Sequence, residues 1–186
     1  MMKKMLFVLN PRSGRGQIRT RLLAILDVFV KAGYEISVHV TQAPGDARRI
    51  VRRRARGKQL VVVSGGDGTL NEALSGLMDL DEDRRPALGY IPSGSTNDYA
   101  ASLGLPHDMK KAAALAVSGT DFAVDAGRFC EERYFAYVAA FGAFTEVSYR
   151  TPQETKTLLG HQANMLEAVR RLTALKSYRM RFEWEG

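Results

Sequence analysis

Leu60-Val-Val-Val-Ser-Gly-Gly-Asp-Gly-Thr-Leu-Asn-Glu72 is the stretch that decides the fold of this chain. Its apolar run leads directly into Gly65-Gly-Asp-Gly68, and apolar residues then recur at helical spacing from Leu70 to Leu77. This pattern predicts a buried parallel strand, a glycine loop and an amphipathic helix. Three glycines in four residues permit positive φ and leave backbone N–H groups accessible beside the positive end of the helix. The stretch therefore predicts a phosphate-binding loop.

Asp67 stands in the middle of this loop, where a bare carboxylate would repel a phosphate. We therefore expect Asp67 to hold Mg²⁺, directly or through water, against phosphate oxygens. The alternative is a tight strand-to-helix turn in which Asp67 and Thr69 are helix caps. We favour the phosphate site, because a cap needs one glycine and not three.

The composition is that of an ordinary soluble globular chain, with 186 residues, 45% of them hydrophobic and 25% charged. The formal net charge of +7 suits nucleic acid, an anionic membrane surface or a polyphosphate ligand. Cys130 is the only cysteine and the three histidines are far apart, so we expect neither disulfides nor a zinc site, and a reducing intracellular setting. We also expect neither a signal peptide nor a transmembrane helix, because the apolar runs are too short.

Two further units of strand, polar loop and helix accompany the central one. The first has a strand from Met5 to Leu9, a loop at 10–16 and a helix. The second has a strand from Ala87 to Ile91, a loop at 92–98 and a short helix. Since the carboxyl ends of parallel strands lie on one edge of a sheet, we expect the three loops to form one ligand site.

An alternating strand from Glu35 to Val40 is predicted between the first and central units, with Ile36, Val38 and Val40 on its buried side. It leads to a short helix for which Asp46 is a candidate N-cap. The outer face of that helix carries six arginines: Arg48, Arg49, Arg52, Arg53, Arg54 and Arg56. We interpret it as a solvated face, with docking to anionic lipid or nucleic acid as alternatives. No aromatic residue interleaves the arginines, which argues against single-stranded nucleic acid.

The pattern changes after an alanine-rich helix that ends near Gly119. Four elements are predicted beyond it: strands at 122–129, 134–141 and 178–184, the first two in an antiparallel hairpin, and a helix at 154–175. We predict an α/β domain at 1–121 and, at 122–186, an incomplete β-sandwich domain with one inserted helix.

Short motifs extend over the whole chain in a recognisable order. They are Asn10-Pro11-x-Ser13-Gly14, Thr41 with Gly45-Asp46-Ala47, Gly65 to Glu72, Pro92-x-Gly94-Ser95-x-Asn97-Asp98, Val124-Asp125-x-Gly127 and Val147-Ser148-Tyr149-x-Thr151-Pro152. In these motifs the chain resembles the soluble bacterial lipid kinases of the diacylglycerol kinase catalytic-domain type. Gly-Gly-Asp-Gly-Thr alone is less specific, since NAD kinases and phosphofructokinases look similar there. The asparagine-proline loop and the Asn97-Asp98 loop separate the lipid kinases from those enzymes.

The resemblance implies a NAD-kinase/diacylglycerol-kinase-like parallel-sheet nucleotide-binding domain, followed by the start of an all-β sandwich domain. It implies that ATP lies across the loops. The implied ATP-binding residues are Asn10, Pro11, Arg12, Ser13, Gly14, Thr41, Gly66, Asp67, Gly68, Thr69, Leu70, Asn71, Glu72, Ser95 and Asn97. The implied catalytic residues are Asp67, acting through Mg²⁺, and Asp125, which would add negative charge near the reacting centre.

The implied activity is ATP- and Mg²⁺-dependent phosphorylation of a lipid hydroxyl, with diacylglycerol as the leading acceptor. The arginine-rich helix and the apolar stretch at 134–144 favour a lipid at the inner face of the membrane, with no nucleic acid as partner. An NAD kinase-like enzyme is the alternative.

The family's second domain continues past residue 186 and holds its proposed general base. We therefore expect this chain alone to bind nucleotide but to transfer phosphate poorly. Two further alternatives are a non-catalytic nucleotide-binding fragment and a homodimer in which a second copy completes the second domain.

Overall fold

The computed structural model describes residues 2–129 and 133–139. Contacts divide the chain into two compact units, residues 1–138 and 139–186. The first unit is built on four parallel strands: β1 (Lys3–Leu9), β2 (Tyr34–Val40), β3 (Leu60–Gly65) and β4 (Ala87–Pro92). They form one sheet in the order β2-β1-β3-β4. This arrangement confirms the predicted parallel-sheet α/β fold.

Helices cover both faces of this sheet. In the described residues they are α1 (Ile18–Lys31), α2 (Asp46–Arg54), α3 (Asp67–Met78), α4 (Asp98–Ser102) and α5 (Met109–Ser118), with a 3₁₀ turn at Glu82–Arg84. None of the described helices is long and apolar enough to cross a membrane.

Two apolar cores lie on opposite faces of the sheet. On one face, Leu6 and Val8 of β1 pack with Val61 and Val63 of β3 against α2 and α3. The other core contains the alternate residues of the same strands together with α1 and α5: Met5, Phe7, Leu9, Leu60, Val62, Ile18, Ile25, Phe29, Met109, Ala112 and Ala113. Strands buried on both faces need a continuous apolar run, which is why β1 and β3 have one.

β2 departs from the predicted alternation. Ile36 packs against the core, but Val38 and Val40 are 40% and 38% exposed. The prediction that all three side chains are buried is therefore wrong for Val38 and Val40. The physical reason is that, among the described residues, β2 has a neighbouring strand on one side only, so less of its surface is covered than in β1 or β3.

A short hairpin follows α5. β5 (Gly127–Phe129) pairs with β6 (Arg133–Phe135) in antiparallel register, which confirms the predicted pairing. The strands are shorter than predicted, because residues 121–126 form no regular structure and Phe122 and Val124 are exposed. The hairpin belongs to the first compact unit, and the domain boundary near Gly119 stays a prediction. The predicted helix at 154–175 and strand at 178–184 lie outside the described residues.

Candidate functional site

The loops that follow β1, β3 and β4 meet at the carboxyl edge of the sheet, as the sequence predicts. A Cβ on Gly94 would lie 2.5 Å from the Cα of Gly66. A Cβ on Gly14, which has a φ of +54°, would lie 2.4 Å from the carbonyl oxygen of Ser93. Glycine at these positions therefore allows the three loops to pack backbone against backbone.

The glycines of the central loop do not use the positive φ that the sequence analysis allowed for them, although the open surface at Gly68 agrees with the predicted accessibility. Gly65, Gly66 and Gly68 do not have positive φ. A Cβ on Gly65 would lie 2.4 Å from the Cβ of Thr69, whereas no atom of the surrounding described residues lies within 4 Å of the position that a Cβ on Gly68 would take. The loop therefore needs glycine for close packing at Gly65 and Gly66, and Gly68 leaves an open, exposed surface.

Side-chain hydrogen bonds join the three loops. Asn10, after β1, donates from Nδ2 to Oγ1 of Thr69 in α3 at 3.1 Å. The buried hydroxyl of Ser64, in β3, donates to Oγ of Ser93 after β4 at 3.2 Å. The loops thus form one connected structure.

Asn97 shapes the loop after β4. It is buried with a left-handed φ of 55°, and its Oδ1 accepts from the N–H of Gly94 at 2.8 Å. The hydroxyl of Tyr90 lies within hydrogen-bond distance of two acceptors, this Oδ1 at 3.3 Å and the carbonyl of Gly65 at 3.2 Å, and its one proton is shared between them. Burial, and then the charge of Asp67, raises the pKa of Tyr90 far above its usual range, so this hydroxyl stays a donor. The side chain of Asn97 is therefore engaged in holding its own loop.

Asp67 is the first residue of α3, but it caps a different helix. Its Oδ2 accepts from the N–H of Asp98 at 3.1 Å and its Oδ1 from the N–H of Tyr99 at 3.3 Å, at the start of α4. Gly66 is the N-cap of α3, and no side chain bonds there. The alternative in which Asp67 and Thr69 cap α3 is therefore wrong. The N–H of Thr69 donates to the carbonyl of Gly66, but the N–H groups of Asp67 and Gly68 have no acceptor in the part of the chain that the structure describes, so they are available to a phosphate.

One polar face of α3 also anchors the hairpin. Asn71 Oδ1 accepts from the N–H of Ala136 at 3.0 Å, and Ser75 Oγ accepts from the N–H of Tyr134 at 3.3 Å. With Asp67, these residues are spaced at i, i+4 and i+8, so they share one side of the helix. Sequence reasoning missed this role of Asn71, although the spacing could have indicated it.

Glu72, on the same helix, contacts the loop after β2. Its Oε1 accepts from the N–H of Gly45 at 2.8 Å and its Oε2 from the N–H of Ala47 at 3.2 Å. Both carboxylate oxygens thus hold the start of α2, 25 to 27 residues earlier in the chain.

Asp46 stabilises the same loop from its other side. The predicted N-cap is wrong by one residue, because Gly45, with a φ of +81°, is the N-cap and Asp46 begins the helix. The buried Asp46 carboxylate accepts from the N–H of Gln42 at 2.9 Å, lies 3.1 Å from Nε2 of His39 and pairs with Arg49. Burial by itself would raise the pKa of Asp46, but these donors outweigh it and lower the pKa below the ordinary value of 3.8.

We expect Asp46→Asn to destabilise the chain by about 1–3 kcal/mol at pH 7, because it removes a charged acceptor from buried donors. The pKa of Asp46 is lower in the folded chain than in the unfolded chain, where it is about 3.8. The charged carboxylate therefore stabilises the folded chain fully above about pH 3.8, and this stabilisation is lost as the pH falls through the pKa of the folded chain. Urea unfolding of both proteins at pH 7 and pH 3 should show the difference shrinking at low pH. An equal difference in the free energy of unfolding at both pH values would contradict the prediction. Asp83→Asn, which changes an exposed carboxylate, is the control.

Comparison with known proteins agrees with this geometry. The model of the diacylglycerol kinase catalytic domain matches residues 4–129. The chain belongs to that family. Curated relatives include the diacylglycerol kinases of Bacillus subtilis (strain 168), 39% identical, and Staphylococcus carnosus (strain TM300), 37% identical. Both alignments cover 100% of this chain, but only 61% and 60% of the relatives, so the chain spans about three fifths of their length.

Solved structures of the family share the fold. A crystal structure of a putative diacylglycerol kinase from Bacillus anthracis str. Sterne is 32% identical, with a TM-score of 0.64 over 71% of this chain and 45% of that chain. A second structure from the same organism, titled a diacylglycerol kinase, has a TM-score of 0.65 over 72% of this chain and 46% of that chain.

The other residues implied by the family resemblance are distributed unevenly around the loops. Arg12 and Ser95 are exposed, Thr41 is half-buried at the end of β2, and Ser13 is buried. Leu70 is 2% exposed and belongs to the core, so only its backbone can face a ligand. These ATP contacts stay predictions.

Asp125 is exposed in the irregular segment before β5. It forms no hydrogen bond or ion pair with any residue that the structure describes. Its catalytic role stays a prediction.

The donor set at Asp67 is compatible with Mg²⁺. In the part of the chain that the structure describes, no three His, Cys, Asp or Glu side chains lie together as a metal cluster. Mg²⁺, however, is commonly bound by one or two carboxylates, with phosphate and water as its remaining ligands. The partly exposed carboxylate of Asp67, beside the open surface at Gly68, fits that pattern.

Proposed function

We propose that this chain is the nucleotide-binding part of an ATP- and Mg²⁺-dependent lipid kinase that converts diacylglycerol to phosphatidic acid. The observation that carries the proposal is the meeting of three loops around Asp67 and the uncapped start of α3, in a chain of the diacylglycerol kinase catalytic-domain family. Phosphoryl transfer depends mainly on positioning and on neutralising phosphate charge, and this edge of the sheet can supply both.

Each part of the loop cluster has a role in this proposal. The open surface at Gly68 leaves room for phosphate oxygens at the N-terminus of α3. Asp67 would hold Mg²⁺, and the ion supplies positive charge beside the phosphates. Asp125 is our candidate in this chain for the group that accepts the proton of the lipid hydroxyl.

The arginines of α2 support a membrane surface as the place where the acceptor is met. Arg48 pairs with Asp79 and Arg49 with Asp46, and Arg56, two residues after the end of α2, pairs with Asp81. Arg52, Arg53 and Arg54 are exposed and form no ion pair with a described residue. Clustered exposed arginines attract anionic headgroups. Binding to phosphatidylglycerol vesicles that weakens with salt, with none to neutral vesicles, would support peripheral attachment, and equal binding to both would contradict it.

A direct assay tests the proposed reaction against the NAD kinase alternative. ATP consumption is measured with diacylglycerol micelles and, separately, with NAD, after ATP binding has been established. The 186-residue chain and a version extended by the remaining length of the family are compared. We expect transfer to diacylglycerol, stronger in the extended protein. Transfer to NAD alone would refute the lipid kinase.

We expect Gly68→Ala to weaken ATP binding about tenfold while leaving the chain at least as stable as before. A methyl group there meets no protein atom within 4 Å, and alanine favours a helix over glycine by about 1 kcal/mol at most. It would, however, occupy the surface proposed for phosphate. Calorimetric ATP titration and urea unfolding measure the two effects. Lys110→Ala, at the same position of α5, is the control, and unchanged ATP affinity in Gly68→Ala would contradict the phosphate position.

A further inference from the structure

Both carboxylate oxygens of Glu72 accept hydrogen bonds from the backbone at the start of α2. Oε1 and Oε2 accept from the N–H groups of Gly45 and Ala47 at 2.8 and 3.2 Å. The side chain is partly buried, and a carboxylate in such a position would repel the phosphates of a nucleotide rather than bind them. These contacts argue against Glu72 as a direct ligand of ATP.

The loop that Glu72 holds is short and tethered at both ends. At its start, the N–H of Thr41 donates to the carbonyl of Leu9 at 2.9 Å, and the N–H of Gln42 donates to Asp46 at 2.9 Å. At its end, the only bonds across to α3 in the described residues are the two that Glu72 accepts. Glu72 thus bonds the backbone of Gly45 and Ala47 to the helix that begins with Asp67.

We propose that Glu72 is a positioning residue, which fixes the Thr41 loop relative to Asp67 so that one nucleotide can contact both. The inference rests on the proposed function, because it concerns how the same ATP site is assembled. Loss of these two bonds frees the N–H groups of Gly45 and Ala47 without removing any group that touches the nucleotide, while α2 stays packed against α3 through the apolar core and the pair of Arg48 with Asp79. Binding then has to order the loop, and affinity falls by that cost.

The test combines two measurements on the whole chain without added lipid. Backbone amide hydrogen exchange of residues 41–47 is measured in the ligand-free protein, and ATP affinity is measured by calorimetry. Glu72→Gln removes the charge, and Glu72→Asp keeps it but shortens the side chain by one methylene. Glu82→Gln, in the exposed 3₁₀ turn, is the matched control.

We expect both Glu72 variants to exchange faster at Gly45 and Ala47 and to bind ATP about tenfold more weakly, with Glu82→Gln unchanged. Weaker binding with unchanged exchange would mean that Glu72 touches the nucleotide directly and would overturn the proposal. Faster exchange with unchanged ATP affinity would mean that Glu72 only stabilises the start of α2, and this result would also overturn the proposal. If the unmutated chain bound no ATP, the proposed function would fail together with this proposal. If the unmutated chain and the Glu72 variants bound ATP equally well, only this proposal would fail.

Discussion

Asp67→Asn is expected to lower Mg²⁺-dependent phosphate transfer by roughly a hundredfold or more, while the chain stays folded. The substitution removes the charge that Mg²⁺ needs but keeps the size of the side chain. Asparagine also keeps one oxygen for the N–H groups at the start of α4, so the cost in stability is about 0.5–1 kcal/mol. Turnover of the protein extended by the remaining length of the family, as a function of Mg²⁺ concentration, measures the first effect, and urea unfolding of the same preparation measures the second.

Asp108→Asn is the matched control for this prediction. Asp108 caps α5, where its Oδ1 accepts from the N–H of Lys111 at 2.8 Å. Asp108→Asn therefore removes the same charge and changes the same kind of capping contact, but at α5, away from α3 and α4. We expect a similar loss of stability with normal turnover. If Asp67→Asn lost activity only in proportion to the folded fraction, the carboxylate would be a cap of α4 and not a ligand of Mg²⁺.

The parts of this fold that could be predicted from sequence are those determined by local pattern. β1 and β3 are uninterrupted apolar runs, and α1 and α3 have apolar residues at helical spacing, so both the elements and the parallel sheet follow from periodicity. The convergence of the loops after β1, β3 and β4 follows in turn, because the chirality of such connections leaves few alternatives.

The partners of individual polar side chains could not be predicted in the same way. Asp67 bonds the backbone of Asp98 and Tyr99, more than 30 residues later, and Glu72 bonds that of Gly45, 27 residues earlier. A motif identifies residue types at a spacing, but such contacts depend on how two distant loops pack. For that reason the family resemblance implied Glu72 as an ATP-binding residue without indicating its bonds to Gly45 and Ala47. Similarly, three glycines in four residues of the central loop indicate a backbone conformation or contact that other residues would disturb. They do not indicate whether the requirement is a positive φ or close packing.

Gly94→Ala is expected to destabilise the chain by about 2–4 kcal/mol and to abolish measurable ATP binding. The new Cβ would lie 2.5 Å from the Cα of Gly66 and 2.7 Å from Oδ1 of Asn97. One of these atoms belongs to the backbone, and the other accepts bonds from Tyr90 and from Gly94 itself, so neither can move without breaking the packing of the loops. Urea unfolding measures the loss of stability, and calorimetric titration measures ATP binding.

Gly68→Ala makes the same substitution in the first turn of α3, where no atom of the surrounding described residues lies within 4 Å of the new Cβ. Both variants should bind ATP weakly, but for different reasons that the unfolding data separate. In Gly94→Ala, the loops after β3 and β4 are forced apart, so the chain loses both its ATP site and part of its stability. In Gly68→Ala, the loops stay packed, and the new methyl group occupies the surface proposed for phosphate. A Gly94→Ala protein as stable as the unmutated chain would show that the backbone contact between Gly66 and Gly94 does not hold the site together.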